Sequence, residues 1–179
     1  MAKKIVIDAG HGGRDPGAKN GTYKEKQAAL GIILELGLLL YRGGYEVYYT
    51  RTNDTYVSLP DRCSISNKAK ADAFVSVHLN ASTGARAVGI ETWRYVTVGT
   101  KTRQLAAAIQ ENLINATGAN NRGVKETDSL YVLKQTKAPA VLVECGFISN
   151  GPECRKLFTT DYQRKIAQAI YRGIKEQVK

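Results

Sequence analysis

A single α/β domain spanning residues 1–179 is the fold class predicted: a mostly parallel central sheet of about six strands, covered by helices on both faces. Three observations predict it. Short β-branched apolar runs alternate with longer segments of helical period. No internal repeat or Pro/Ser-rich linker divides the chain. At 179 residues, 43% hydrophobic and 23% charged, the chain is of ordinary domain size and can bury a core.

Residues 4–9, Lys-Ile-Val-Ile-Asp-Ala, form a short β-branched run ending in Gly10, Gly12 and Gly13, which is a buried strand entering a tight turn. Residues 25–41 predict a helix that is apolar nearly all round, and therefore covered. Its Gly31 and Gly37 lower helix propensity, which is consistent with a neighbour packed close, and Gly43-Gly44 stops it. Residues 45–50 predict a second strand, and 59–70 a helix with Pro60 in its first turn. Residues 73–78 and 89–95 predict two more strands. Residues 100–116 are an amphipathic helix with Leu105, Ile109 and Leu113 on one face. Leu130-Tyr131-Val132-Leu133 and Ala140-Val141-Leu142-Val143 complete the strands. A last helix is predicted to begin at a T-x-x-Q capping box, Thr160 to Gln163, with Tyr162, Ile166, Ile170 and Ile174 inward.

Composition excludes several classes. No run of eighteen apolar residues exists, so no membrane-spanning helix is expected. Three cysteines, Cys63, Cys145 and Cys154, lack C-x-x-C spacing, which argues for free buried thiols and against a disulfide framework or thiolate metal site. Ala2-Lys3-Lys4 leads only into Ile5-Val6-Ile7 before Asp8, too short for a signal peptide. The chain as given is therefore expected to be made in the cytoplasm, or to be a trimmed catalytic domain. A net charge of +10 favours polyanionic partners; the basic residues are scattered and accompany no nucleic-acid motif.

In open α/β sheets, ligands collect outside the carboxyl ends of the strands. His11 lies two residues past the first predicted strand, His78 closes the third, Glu144 follows the last, and Glu25 opens the first helix on that same side. These are the only two histidines of the chain. Two imidazoles and one carboxylate, leaving a position for water, make the ligand set of a catalytic zinc; a hard-oxygen metal would want more carboxylates. A further carboxylate beside that water, with no duty as a ligand, can take its proton and pass it to a leaving amine. Glu144 suits that role, because a glutamate after four apolar strand residues is costly unless its charge is used or paired.

Longer motifs surround these residues. Ile7-Asp8-Ala9-Gly10-His11-Gly12-Gly13 followed by Asp15-Pro16-Gly17-Ala18 resembles the opening motif of the zinc-dependent N-acetylmuramoyl-L-alanine amidases, the amidase-3 group. Glu25-Lys26, Thr50-Arg51 with Asp54, Leu59 with Arg62, and Ser76-Val77-His78-Leu79-Asn80-Ala81 follow in that family's order. So do Gly89-Ile90-Glu91-Thr92, Asn121-Arg122-Gly123-Val124, and the run from Pro139 through Glu144 to Asn150. The likeness covers nearly the whole chain and extends to the catalytic domains of phage endolysins and bacterial autolysins. It departs only at Gln27, Ala29 and Cys145.

The resemblance implies one zinc ion per chain on His11, Glu25 and His78, with Glu144 as the catalytic acid/base. It also implies cleavage of the amide between the lactyl group of N-acetylmuramic acid and L-alanine. The expected partners are then peptidoglycan and anionic cell-wall polymers rather than nucleic acid, engaged by a monomer. The expected place of action is the wall, after release in phage lysis or mother-cell lysis. Three rival readings use fewer of these residues: a cysteine peptidase with Cys145 as nucleophile, a glycosidase pairing Glu91 with Glu144, and a wall-binding module without catalysis.

Overall fold

A computed structural model describes residues 1–179. The elements, in chain order, are β1 (Lys4–Ala9), β2 (Lys19–Asn20), β3 (Tyr23–Lys24), α1 (Glu25–Arg42), β4 (Glu46–Tyr49), α2 (Leu59–Ala69) and β5 (Ala73–Asn80). They continue with β6 (Ile90–Tyr95), α3 (Thr100–Thr117), β7 (Asn121–Thr127), α4 (Tyr131–Gln135), β8 (Ala140–Phe147), α5 (Gly151–Leu157) and α6 (Thr160–Gln177). Six strands make one sheet in the order β4-β1-β5-β8-β6-β7, and β2 pairs with β3 in a separate small hairpin. All neighbours in the large sheet run parallel except β6 and β8. No helix is long and apolar enough to cross a membrane.

The two faces of the sheet are covered unequally, and this positions the site. On one face, Ile5, Ile7, Val75, Val77, Val141 and Val143 pack against α1, α3 and α6 in the main core. Gly37 of α1 faces the ring of Tyr49, which a Cβ would strike, so this helix glycine is explained by close approach. On the other face, Val6, Phe74 and Leu142 form a smaller cluster under the short helices α2 and α4. Strand side chains alternate with period two. Asp8, His78 and Glu144 therefore continue this second, thinly covered face toward the carboxyl ends of β1, β5 and β8.

Four expectations are corrected. Leu130–Leu133 is not a strand; Leu130 caps the short helix α4. A four-residue apolar run has no period to separate strand from helix. The sixth strand is instead β7, a polar edge strand whose sequence, Asn-Arg-Gly-Val-Lys-Glu-Thr, has no buried residue. Glu144 does not follow the last strand but lies inside it, since β8 runs on to Phe147; His78 likewise sits within β5. The last helix is capped by Thr159 rather than Thr160: the Tyr162 amide donates to the Thr159 hydroxyl. The Gln163 side chain instead donates to the Leu157 carbonyl (2.9 Å).

Candidate metal centre and active site

The site begins where β1 stops. His11 takes the left-handed conformation (φ 59°), which costs an L-residue on the order of 1–2 kcal/mol. Two buried arginines hold it there. Arg62 donates to the carbonyls of Ala9 and His11, both at 2.7 Å. Arg51 donates to the carbonyls of Ala9 (3.0 Å), Gly10 (2.7 Å) and Lys26 (2.9 Å), so the turn is tied to the start of α1. Arg62 also pairs with Asp8 at 2.5 Å, whose carboxylate accepts from Thr50 and Ser76 as well, each at 2.6 Å. Burial alone would raise the Asp8 carboxyl, but Arg62 and the two hydroxyls outweigh it and hold it low.

Around this turn, His11, Glu25 and His78 bring one donor atom each to within 4.8 Å of one another. Glu25 Oε1 stands between the two rings, 3.0 Å from His11 Nε2 and 3.0 Å from His78 Nδ1. It is 3% exposed and accepts the Leu79 amide (3.0 Å), while Oε2 accepts the Ala18 amide (2.9 Å). Burial opposes its ionisation; the two imidazoles overcome that and keep it far below the usual carboxylate range. His11 Nδ1 donates to Asp15 (2.8 Å), which fixes the ring with Nε2 facing inward to Glu25, and Asp15 is fixed by the Gly17 amide (3.0 Å). Against burial, Glu25 and Asp15 raise His11 to about 9. Gly17 (φ 65°) passes so close that a Cβ would lie 2.6 Å from Glu25 Oε2.

Glu144 is the direct register partner of His78 across β5 and β8. Its Oε2 is buried with no hydrogen-bond partner. Burial pushes its carboxyl up to about 7, and the negative charges of Glu25 and Glu91 add to this against the pull of the histidines. The cluster, two nitrogens and a buried carboxylate oxygen, fits a catalytic zinc as a donor set. Beside it, the half-buried Glu144 holds the one buried carboxylate oxygen of the site without a partner, Oε2, as suits a proton carrier.

The structure thus brings together all four residues singled out from sequence. It removes two rivals. Cys145 is 1% exposed, and burial raises its thiol well above the ordinary value, so no thiolate nucleophile is available there. Glu91 is not a free second carboxylate: Asn80 (2.8 Å), Trp93 (3.0 Å) and Arg122 (2.6 Å) all donate to it. Sequence reasoning gave no role to Asp15, Arg51 or Arg62. The charge of Asp8 inside an apolar strand, and the place of Thr50, Arg51, Arg62 and Ser76 in the ordered motifs, were the signals of the buried network beneath the site.

Fold and donor set together define a class: an α/β domain carrying a His-Glu-His cluster close enough to hold a metal, with a free carboxylate oxygen beside it, toward the carboxyl end of its sheet. Compared with known proteins, the chain matches the family described as N-acetylmuramoyl-L-alanine amidase over residues 5–176, and it belongs to that family. It is 38% identical to the N-acetylmuramoyl-L-alanine amidase LytC of Bacillus subtilis over 97% of this chain and 35% of that protein. It is 39% identical to the endolysin of Bacillus phage SPP1 over 98% of this chain and 66% of that protein. The chain therefore spans only part of these relatives. Among solved structures, the amidase of Clostridium difficile 630 superposes with a TM-score of 0.94 at 35% identity, covering 98% of this chain and 96% of that one. The catalytic domain of CwlV from Bacillus (Paenibacillus) polymyxa var. colistinus gives 0.92 at 35% identity, covering 97% of each.

Proposed function

We propose that this chain is a zinc-dependent peptidoglycan hydrolase that cleaves the amide joining N-acetylmuramic acid to L-alanine. His11, Glu25 and His78 would hold about one zinc ion per chain, and Glu144 would carry the proton. One observation supports this above the rest: Glu144, half-buried and paired in register with His78 of the cluster, has a buried Oε2 with no hydrogen-bond partner. Membership of the amidase family supplies the substrate class.

Zinc, when bound, supplies Lewis acidity and brings the pKa of water near roughly 7. The protein's own residues do the remainder. Asp15 and the Leu79 amide fix the His11 ring and the Glu25 carboxylate, so two of the three donors are already held in place. Glu144, held near neutrality by burial, takes a proton from the attacking water and returns it to the departing alanine nitrogen. Its lack of any internal hydrogen bond leaves its oxygen free for both transfers.

Product analysis tests the reaction. Digestion of purified peptidoglycan should release new α-amino groups on L-alanine and no new reducing sugar ends. Reducing ends would mark a glycosidase, and amines confined to cross-link residues would mark an endopeptidase.

A further inference from the structure

Beyond Glu144, the sheet carries a feature that the bond-breaking chemistry leaves unused. His78, Glu144 and Glu91 are register partners in turn across β5, β8 and β6, so their side chains form one row on the thinly covered face. The next strand breaks the row. Between β6 and β7 the register jumps from Ile90 opposite Asn121 to Glu91 opposite Gly123, which leaves Arg122 as the extra residue of a β-bulge. Bulges re-aim side chains and recur beside active sites. Here the partner of Glu91 is a glycine (φ 79°) with nothing near its Cβ position, and the guanidinium beside it comes back over Glu91.

Arg122 is held but not consumed. Its Nε donates to Glu91 at 2.6 Å, and its guanidinium carbon lies 4.9 Å from the centre of the Phe147 ring. Of its five N–H donors, this one is used; the terminal nitrogens make no hydrogen bond within the chain, and the side chain is 36% exposed. Arginine–carboxylate pairs are frequently bidentate, whereas this one is made through Nε alone. Glu91 has Asn80 and Trp93 as further donors, and it holds the arginine side-on with the fork free.

We infer that Arg122 is a specificity-determining residue that binds a carboxylate on the peptide half of the substrate, one residue beyond the alanine whose amide is cut. This rests on the amidase reading above. The muramoyl half has lost its only carboxyl group to the scissile amide, so a carboxylate near this bond belongs to the peptide. The spacing agrees. Neighbouring strands lie ~4.8 Å apart, which sets the Glu91–Arg122 pair about one strand beyond Glu144. An extended peptide advances ~3.5 Å per residue, so the residue after alanine arrives there.

The test compares two soluble probes with the zinc-loaded protein: N-acetylmuramoyl-L-alanyl-D-glutamate, with a free α-carboxylate, and N-acetylmuramoyl-L-alanyl-D-isoglutamine, where it is an amide. Wild-type protein should favour the free acid by roughly tenfold to a hundredfold in kcat/KM, mainly through KM, as a charge-assisted bidentate contact provides. Arg122→Gln should lose that factor on the acid alone and leave the amide probe nearly unchanged. Arg122→Lys, which keeps a charge on Glu91 but loses the fork, should retain only part of the preference, and it serves as the readout if the glutamine variant fails to fold. Equal use of both probes by wild type, or equal losses on both in the variants, would overturn the role of Arg122 alone. If the muramoyl–alanine bond were cut neither in the probes nor in intact peptidoglycan, the amidase reading would fall and this inference with it.

Discussion

As a ligand of the proposed zinc, His11 would couple fold, charge and metal affinity in one residue. Glu25 and Asp15 raise its pKa to about 9 in the metal-free protein, so at neutral pH the ring carries a proton that a metal must displace. The sign follows directly. Protonation below about 9 competes with the metal, so apparent zinc affinity should rise by up to about tenfold per pH unit from neutrality toward 9, and then level off. Competition titrations with a chelator of known pH dependence would measure this, with uptake of the ion releasing a proton near pH 7. A flat profile across this range would show that the ring is already neutral and that the two carboxylates do not govern it.

At the scale of elements, the buried Asp8–Arg62 pair joins β1 to α2 and braces the His11 turn from below, with Asp8 at 1% and Arg62 at 3% exposure. Arg62→Ala would leave a buried carboxylate short of its main partner and should cost about 3–5 kcal/mol of stability at neutral pH. Asp8 has a depressed folded pKa, so its contribution is present above the unfolded value of ~3.9 and is lost as pH falls through the folded one. The gap between wild type and variant should therefore narrow below about pH 4, which denaturant melts at neutral and acid pH would detect. An equal gap at both would mean that the charge of Asp8 is not what Arg62 stabilises. Other elements were legible in the sequence to different degrees. β1, α1 and α3 were readable because a long period or a β-branched run bounded by glycine leaves little choice. β7 was not, because an edge strand with no buried residue carries no apolar alternation, and Leu130–Leu133 is too short to show a period. The grouping of His11, Glu25, His78 and Glu144 was readable because two histidines and two glutamates fell at one edge. Asp15, Arg51 and Arg62 were not, because their partners lie in loops and elements that only the fold brings together.

For the molecule as a whole, the net charge of +10 acts at longer range than any one contact. Lys70, Lys101 and Lys137 border a cleft near the amino ends of β5 and β8, the opposite end of these strands from His78 and Glu144. Exposed charge is screened within ~8 Å at physiological ionic strength, so binding to whole walls should weaken as salt is added. Pull-down with purified walls across a salt series measures this, and unchanged binding from low to high salt would exclude the basic surface as the anchor. Three side chains proposed to hold the metal and one separate proton carrier are distinguished by zinc content measured beside activity in two variants. Glu144→Ala should keep near-normal zinc and fold while activity drops by roughly 10²–10⁴-fold or more, whereas Glu25→Ala should lose zinc and activity together. Loss of zinc from Glu144→Ala with retention in Glu25→Ala, or full activity in Glu144→Ala, would contradict the account.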